Sequence, residues 1–439
     1  MDTHQERIRE QRDRGLVQVV GPLGLAANVI NIVIGAGIFV LPATIAGVIG
    51  PAAPLVYLAS AIAMGAIALC FAEAGSRVPT SGGPYGYAEA AFGPFAGFVM
   101  AVFVWLSAVL ASAGIAAALL DVLAGFAPAI STPIARGAVI VVLYAALAAI
   151  NIAGAAPGAR LVGITTIAKL IPLLVFLAVG AFLVRPENLV IDAAPQAGDF
   201  GRAMLLAIFA FSGMETALAV SGEVRSPSRS VPMGLLGAMA GVTAIYILIQ
   251  IVAQGVLGAD LARSTAPLSD AMAGFSPGLV NLLLAGAAIS MSGYLAGNAL
   301  SAPRLLFAAA RDGFLPSWLA AIHPRTHAPA AAIVVHLLIA AAFALTGTFI
   351  ELAILSTLAT VGIYVLGCAA SVVLRRRGVA TVGEPLRFRA TVPAAVIGIA
   401  SMVWVAAQAT LNEAMSLGIA LALIVALYLA VRYSRKPSV

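Results

Sequence analysis

Apolar runs of about 20 residues recur along the chain from one end to the other, each long enough to cross a hydrocarbon core of about 30 Å. With no water at that depth, backbone groups must be satisfied inside the protein, and a helix does this within one segment. The chain is therefore read as an all-α polytopic membrane protein. Of its 439 residues, 62% are hydrophobic and 10% charged, against about 25% charged in an ordinary soluble domain. Twelve spans are expected, at roughly 16–47, 53–75, 94–125, 134–152, 160–184, 202–222, 232–258, 277–311, 328–346, 349–374, 391–411 and 413–432. The first run follows "MDTHQERIREQRDRG" without a small-residue cleavage site, so it reads as a retained helix and not a signal peptide. A single membrane domain over 16–433 is expected, between cytoplasmic tails at 1–15 and 434–439.

The excess of positive charge is a topology signal and not a nucleic-acid footprint. Alternate connections hold 19 of the 24 basic residues, including Arg7 to Arg14, Arg225, Arg229, Arg304, Arg311, Arg375 to Arg377 and Arg432 to Lys436. The opposite set holds only Arg136, Arg185, Arg202 and Arg263. Basic loops stay inside, which puts both termini in the cytoplasm of a cell with a multi-pass membrane protein, and a bacterial inner membrane is expected. Cys70 and Cys368 lie in different apolar stretches and read as small core residues. No spacing of Cys, His or carboxylates resembles a metal site, and no phosphate-binding glycine loop is present, so no metal, cofactor or ATP-driven step is expected.

Within the first span, "NIVIGAGIFVLP" places Gly35 and Gly37 at membrane depth, where each weakens a helix by roughly 1 kcal/mol relative to alanine. The run is about 32 residues long, more than one straight crossing needs. A break at Gly35–Gly37 would divide it into two half-helices. Five spans later "FAFSGMET", Phe209 to Thr216, offers a second break around Ser212 and Gly213. Tight helix packing also explains either glycine cluster taken alone. Interruptions at corresponding positions of two halves point instead to a transporter binding site. Freed N–H groups at a half-helix N-terminus suit a carboxylate, and freed carbonyls suit an ammonium. Backbone groups of Ile34, Gly35, Ala36 and Gly37, and of Ala210, Phe211, Ser212 and Gly213, are the expected docking surface for a small zwitterion.

Two charges within spans are candidates for coupling. Lys169, in "TTIAKLIPLLVF", lies nine residues beyond Arg160, roughly 13 Å deeper along the helix. An ammonium there is costly, faces the interior and marks an ion or proton pathway. The alternative is a constitutively charged cross-link between helices 5, 1 and 8. Glu215 follows the second break, and its alternative is a carboxylate hydrogen-bonded to the backbone groups that the break frees. Glu351 and Glu413 begin spans and are expected at interfacial water. The histidines, His4, His323, His327 and His336, are not paired with a cysteine or an acidic pair in a span.

Four segments carry a family resemblance, in order across about residues 18–330. "IVIGAGIFVLP" resembles the first helix of the amino acid–polyamine–organocation transporters. "VPTSGGPYGYAEAAFGPFAGF" resembles their segment before the third helix, "FAFSGMETA" their sixth helix, and "APRLLFAAARDGFLPSWLAAIHPRTHAPA" the run after their eighth. The resemblance implies a 5+5 inverted repeat of the LeuT-like kind. Repeat one would cover about 16–184 and repeat two about 202–374, with helices 1 and 6 discontinuous and two extra helices over 391–432. It also implies that Phe209 closes over substrate, and that Ser112 and Asn298 stand at pocket positions of the third and eighth helices. Proton-coupled members carry a fifth-helix lysine, which Lys169 matches, whereas arginine–agmatine exchangers tend to be uncharged there. Ser112 and Asn298 depart from the residues of those exchangers, and only Glu215 is placed to pair with a cationic side chain. The expected function is proton-coupled uptake of neutral L-amino acids by alternating access, with Lys169 and Glu215 in coupling or gating. The alternatives are an amino acid/amine exchanger without proton coupling and a non-transporting amino acid sensor. The expected partners are an amino acid, a proton and membrane lipid, in a monomer or homodimer.

Overall fold

The computed structural model describes residues 21–79, 82–153, 155–191, 193–326, 328–381 and 384–434. The tail expected at 1–15, all but Ser434 of the tail expected at 434–439, the start of the first span at 16–20, and His4 and His327 lie outside the described residues. Helices dominate: α1 (Pro22–Val33), α2 (Gly37–Ile49), α3 (Ala53–Arg77), α4 (Pro84–Phe92), α5 (Pro94–Phe126), α6 (Pro133–Ala153), α7 (Ala155–Gly180), α8 (Ala197–Phe211), α9 (Met214–Ala217), α10 (Pro227–Leu257), α11 (Pro267–Ala271), α12 (Pro277–Ser301), α13 (Pro303–Arg311), α14 (Ala330–Thr346), α15 (Phe349–Arg376), α16 (Thr391–Ala406) and α17 (Leu411–Ser434). Proline opens many of them, because its missing N–H is one of the donors a first turn leaves unpaired. α15 instead starts on a capping box in which Thr348 and Glu351 exchange hydrogen bonds, so Glu351 is a helix cap.

Among the described residues, seven helical stretches are long and apolar enough to cross a membrane by length and composition: Gly37–Arg77, Pro94–Phe126, Pro133–Ala153, Pro227–Arg263, Pro277–Arg311, Phe349–Arg376 and Leu411–Ala430. The chain is a multi-pass membrane protein. Four shorter apolar helices, Pro22–Val33, Ile167–Leu183, Ala330–Thr346 and Thr391–Ala406, accompany them. The two expected breaks account for part of the shortfall from twelve. Residues 34–36 leave the helical ladder between α1 and α2, and residues 212–213 do so between α8 and α9. The expected eighth span also divides, into α12 and α13, at Ala302 and Pro303.

Close packing sets the two breaks side by side. α2 lies on α8, and α9 lies on α1. A Cβ added to Gly37 would stand 3.0 Å from Cα of Ala210, and one on Gly213 would stand 2.9 Å from a methyl of Ile32. Gly213 also has φ of 117°, a conformation that a side chain strains. Glycine is required at both places for the half-helices to meet. Around them α10 runs along α3 and α1, α15 packs on α5, and α12 packs on α7. α17 stands outermost, with Leu411, Met415, Ile419 and Leu423 exposed as a lipid-facing surface requires.

A buried ionic cluster ties α3 to the far end of the chain. Glu73 and Arg77, one turn apart on α3, are fully buried and pair at 2.7 Å. The second oxygen of Glu73 accepts from Arg375 at 3.0 Å and from the Thr391 hydroxyl. Arg77 also donates to the Val379 carbonyl at 3.1 Å, and its own carbonyl accepts from the Thr381 N–H at 2.9 Å. One carboxylate thus balances two guanidinium groups and fixes the α15–α16 connection against α3. Removing one partner of a buried pair strands the other charge, at a cost of about 3–5 kcal/mol. Glu73→Ala is expected to lower thermal stability in detergent by that order and Glu73→Gln by less. Equal melting of wild type and Glu73→Ala would show that the cluster contributes nothing.

Candidate functional site

Between the two breaks lies a small, partly open cavity. Gly35, Ala36 and Gly37 line it from the first break, and Phe209, Ala210, Ser212, Gly213 and Glu215 from the second. The opposite wall is Ser107, Ala108, Ala111 and Ile115 of α5 with Tyr294 of α12. Ile34 and Phe211 are buried beside the cavity and do not line it. Phe211 packs against Tyr57 and Tyr246, while Phe209 meets Phe349 edge-on at 5.6 Å.

The protein's own side chains satisfy most of the carbonyls that the breaks release. Lys169, fully buried, donates from Nζ to the carbonyls of Asn31 and Ile34, both at 2.8 Å. Ser290 of α12 donates to the carbonyls of Ile34 at 3.2 Å and Gly35 at 3.0 Å. The Tyr246 hydroxyl of α10 lies 2.9 Å from the Val33 carbonyl and 3.2 Å from that of Ala210, one on each side of the paired breaks. On the donor side, Gly35 N–H is taken by Val33 at 2.8 Å. Both oxygens of Glu215 accept from the Gly213 N–H at 3.1 Å, and one accepts from the Tyr364 hydroxyl at 2.9 Å. Glu215 therefore bonds to the backbone its break frees, as the second reading of that residue expects.

One group of donors remains open. Among the described residues, the N–H groups of Ala36, Gly37 and Ile38 donate to no protein acceptor. They form the first turn of α2, whose 13 residues aim their positive end at the cavity. Such a terminus takes an anion the size of a carboxylate.

The remaining candidates stand behind the wall. Ser112 of α5 is buried, and its hydroxyl lies 3.1 Å from that of Tyr144 on α6. Asn298 of α12 is 5% exposed and donates to the Ala108 carbonyl at 3.1 Å. The aromatic residue that α12 brings to the cavity is Tyr294, one turn before Asn298. In a helix apolar on every face, sequence does not fix which residue points inward. Tyr246 and Ser290 were not singled out in the sequence either. The only signal was the presence of hydroxyl residues within the apolar runs "TAIYILIQ" and "AISMSGY".

Across residues 20–429 the sequence matches the family model described as amino acid permease. The chain belongs to that family. The permease is 29% identical over 381 residues to the serine/threonine exchanger SteT of Bacillus subtilis (strain 168), covering 83% of this chain and 85% of the relative. It is 28% identical over 391 residues to the branched-chain amino acid permease BcaP of the same organism, covering 83% and 82%. It is also 28% identical over 403 residues to the vacuolar cationic amino acid transporter 4 of Arabidopsis thaliana, covering 86% and 66%. These relatives are amino acid transporters of the amino acid–polyamine–organocation family, as the four motif segments imply. Gly37→Val would drive a branched side chain into Ala210 and fill the junction of the breaks. Loss of amino acid binding from a monodisperse protein is the expected result, and retained wild-type affinity would place the ligand elsewhere.

Proposed function

We propose that the permease is a secondary active transporter that takes up neutral L-amino acids with protons by alternating access. On this reading the open N–H groups of Ala36, Gly37 and Ile38 hold the α-carboxylate, and carbonyls near 210–213 hold the α-amine. Those three unclaimed donors at a helix N-terminus carry the proposal, since every neighbouring freed group named above already has a partner inside the protein. Phe209 closes over the ligand. A neutral side chain is favoured because Glu215, the carboxylate on the cavity, is occupied by Gly213 and Tyr364.

Lys169 is proposed to carry coupling, with Glu215 linking occupancy to gating. The lysine bonds to two carbonyls of the first break, and among the described residues no carboxylate pairs with it. Gain or loss of its charge would act directly on the backbone that shapes the cavity. The architecture proposed for this cycle is twelve spans in two inverted five-helix repeats, about 16–184 and 202–374, followed by helices over 391–432. Both termini would face the cytoplasm, in a bacterial inner membrane.

Likeness to a serine/threonine exchanger favours a second reading, exchange without protons. Uptake into proteoliposomes separates the two. A gradient of one pH unit is worth about 1.4 kcal/mol per proton and supports about tenfold accumulation. Wild type is expected to respond to the gradient, and Lys169→Ala to bind substrate but lose the response. Stimulation only by amino acid loaded inside, with no effect of the gradient, would replace symport by exchange.

A further inference from the structure

His336 is fully buried on α14, outside the cavity and unused by the proposed transport cycle. Its Nε2 lies 3.0 Å from Oδ1 of Asn298. The amide of Asn298 is not free to flip, because its nitrogen faces the Ala108 carbonyl at 3.1 Å. Two oxygens would otherwise oppose each other there. Oδ1 must then accept, so Nε2 of His336 carries the hydrogen and donates it. The second N–H of Asn298 reaches the Tyr294 hydroxyl at 3.5 Å. Tyr294 is thereby the acceptor in that contact, and its own proton is left to give. Among the described residues, no acceptor takes it.

Tyr294 is also placed by its ring. One edge, at Cδ2, would lie 3.3 Å from a Cβ on Gly35, so the ring rests against the first break. The hydroxyl end meets Asn298, which grips α5 at Ala108. The donor therefore sits toward the α5 wall, across from the N–H groups proposed for the carboxylate. Ala108 and Ala111, with small side chains, line the cavity on that wall.

We propose that Tyr294 is a specificity-determining residue whose hydroxyl donates to an acceptor on the substrate side chain, and that His336, acting through Asn298, is the positioning residue that holds it as a donor. The substrate class is small neutral amino acids with a side-chain hydroxyl or amide oxygen. This rests on the cavity being the substrate site.

The test compares isosteric ligands on purified full-length protein: serine with 2-aminobutyrate, and threonine with valine. Each member of a pair differs by a hydroxyl in place of a methyl, and a ratio of affinities does not depend on the fraction of protein folded. Wild type is expected to prefer the hydroxyl ligand. Tyr294→Phe should reduce that preference about fivefold, the scale of one neutral hydrogen bond, with little change for valine. His336→Phe should reduce it similarly, and His336→Gln, which retains an N–H donor, should restore most of it. An unchanged ratio in Tyr294→Phe overturns the specificity role. An unchanged ratio in His336→Phe, or an equal loss in His336→Gln, overturns the positioning role. Gly37→Val separates these failures from that of the site itself. If it binds every ligand as wild type does, the cavity is not the substrate site. If it binds none while Tyr294→Phe leaves the ratio intact, the Tyr294 assignment alone fails.

Discussion

A peptide group stripped of its helical partner at membrane depth has no water to turn to, so each interruption of the ladder must be answered by another group. The permease interrupts its ladder twice, at 34–36 and 212–213, and sets the interruptions against each other. Almost all of the surrounding polar architecture follows from this. Lys169 and Ser290 come in from two other helices to the carbonyls of Asn31, Ile34 and Gly35. Glu215 turns back onto the Gly213 N–H. An anionic ligand is the natural partner for the donors that remain.

Tyr246 gives the pair of breaks a mechanical link. Its hydroxyl has one proton and two carbonyls within reach, Val33 before the first break and Ala210 before the second. The same helix, α10, packs along α3 and α1. At the far end of α3, the Glu73 cluster holds the α15–α16 connection through the buried pair Glu73–Arg77 and the half-buried Arg375. Two kinds of polar contact thus coexist in one apolar body: hydroxyl and amine contacts to bare backbone at the centre, and ion pairs where helices end.

Much of this was legible in the sequence because glycine has few reasons to stand where a helix must be strong. "GAGIF" and "FSGMET" marked both breaks, and Lys169 and Glu215 were visible as rare charges. Glu73 and Arg77 stand at a helical spacing, but the joining of Arg375 to them from some 300 residues away was not readable. Span limits were the weaker part. Short half-helices, and the running together of the second half of the first span with the second span in Gly37–Arg77, leave seven stretches of full crossing length among the described residues where twelve spans were expected. Rotational setting was least legible. Ser112 turns toward Tyr144, and Tyr294, not Asn298, lines the cavity from α12, because a largely apolar helix shows no clear face from which to read its orientation.

The central claim is that the N-terminal turn of α2 binds a carboxylate. Thermal stabilisation of the purified protein by a neutral amino acid, by its carboxamide and by the corresponding decarboxylated amine tests it most directly. Stabilisation by the amino acid alone is the predicted result, because only that ligand brings an anion to the Ala36–Ile38 donors. Equal stabilisation by the amine would contradict the account.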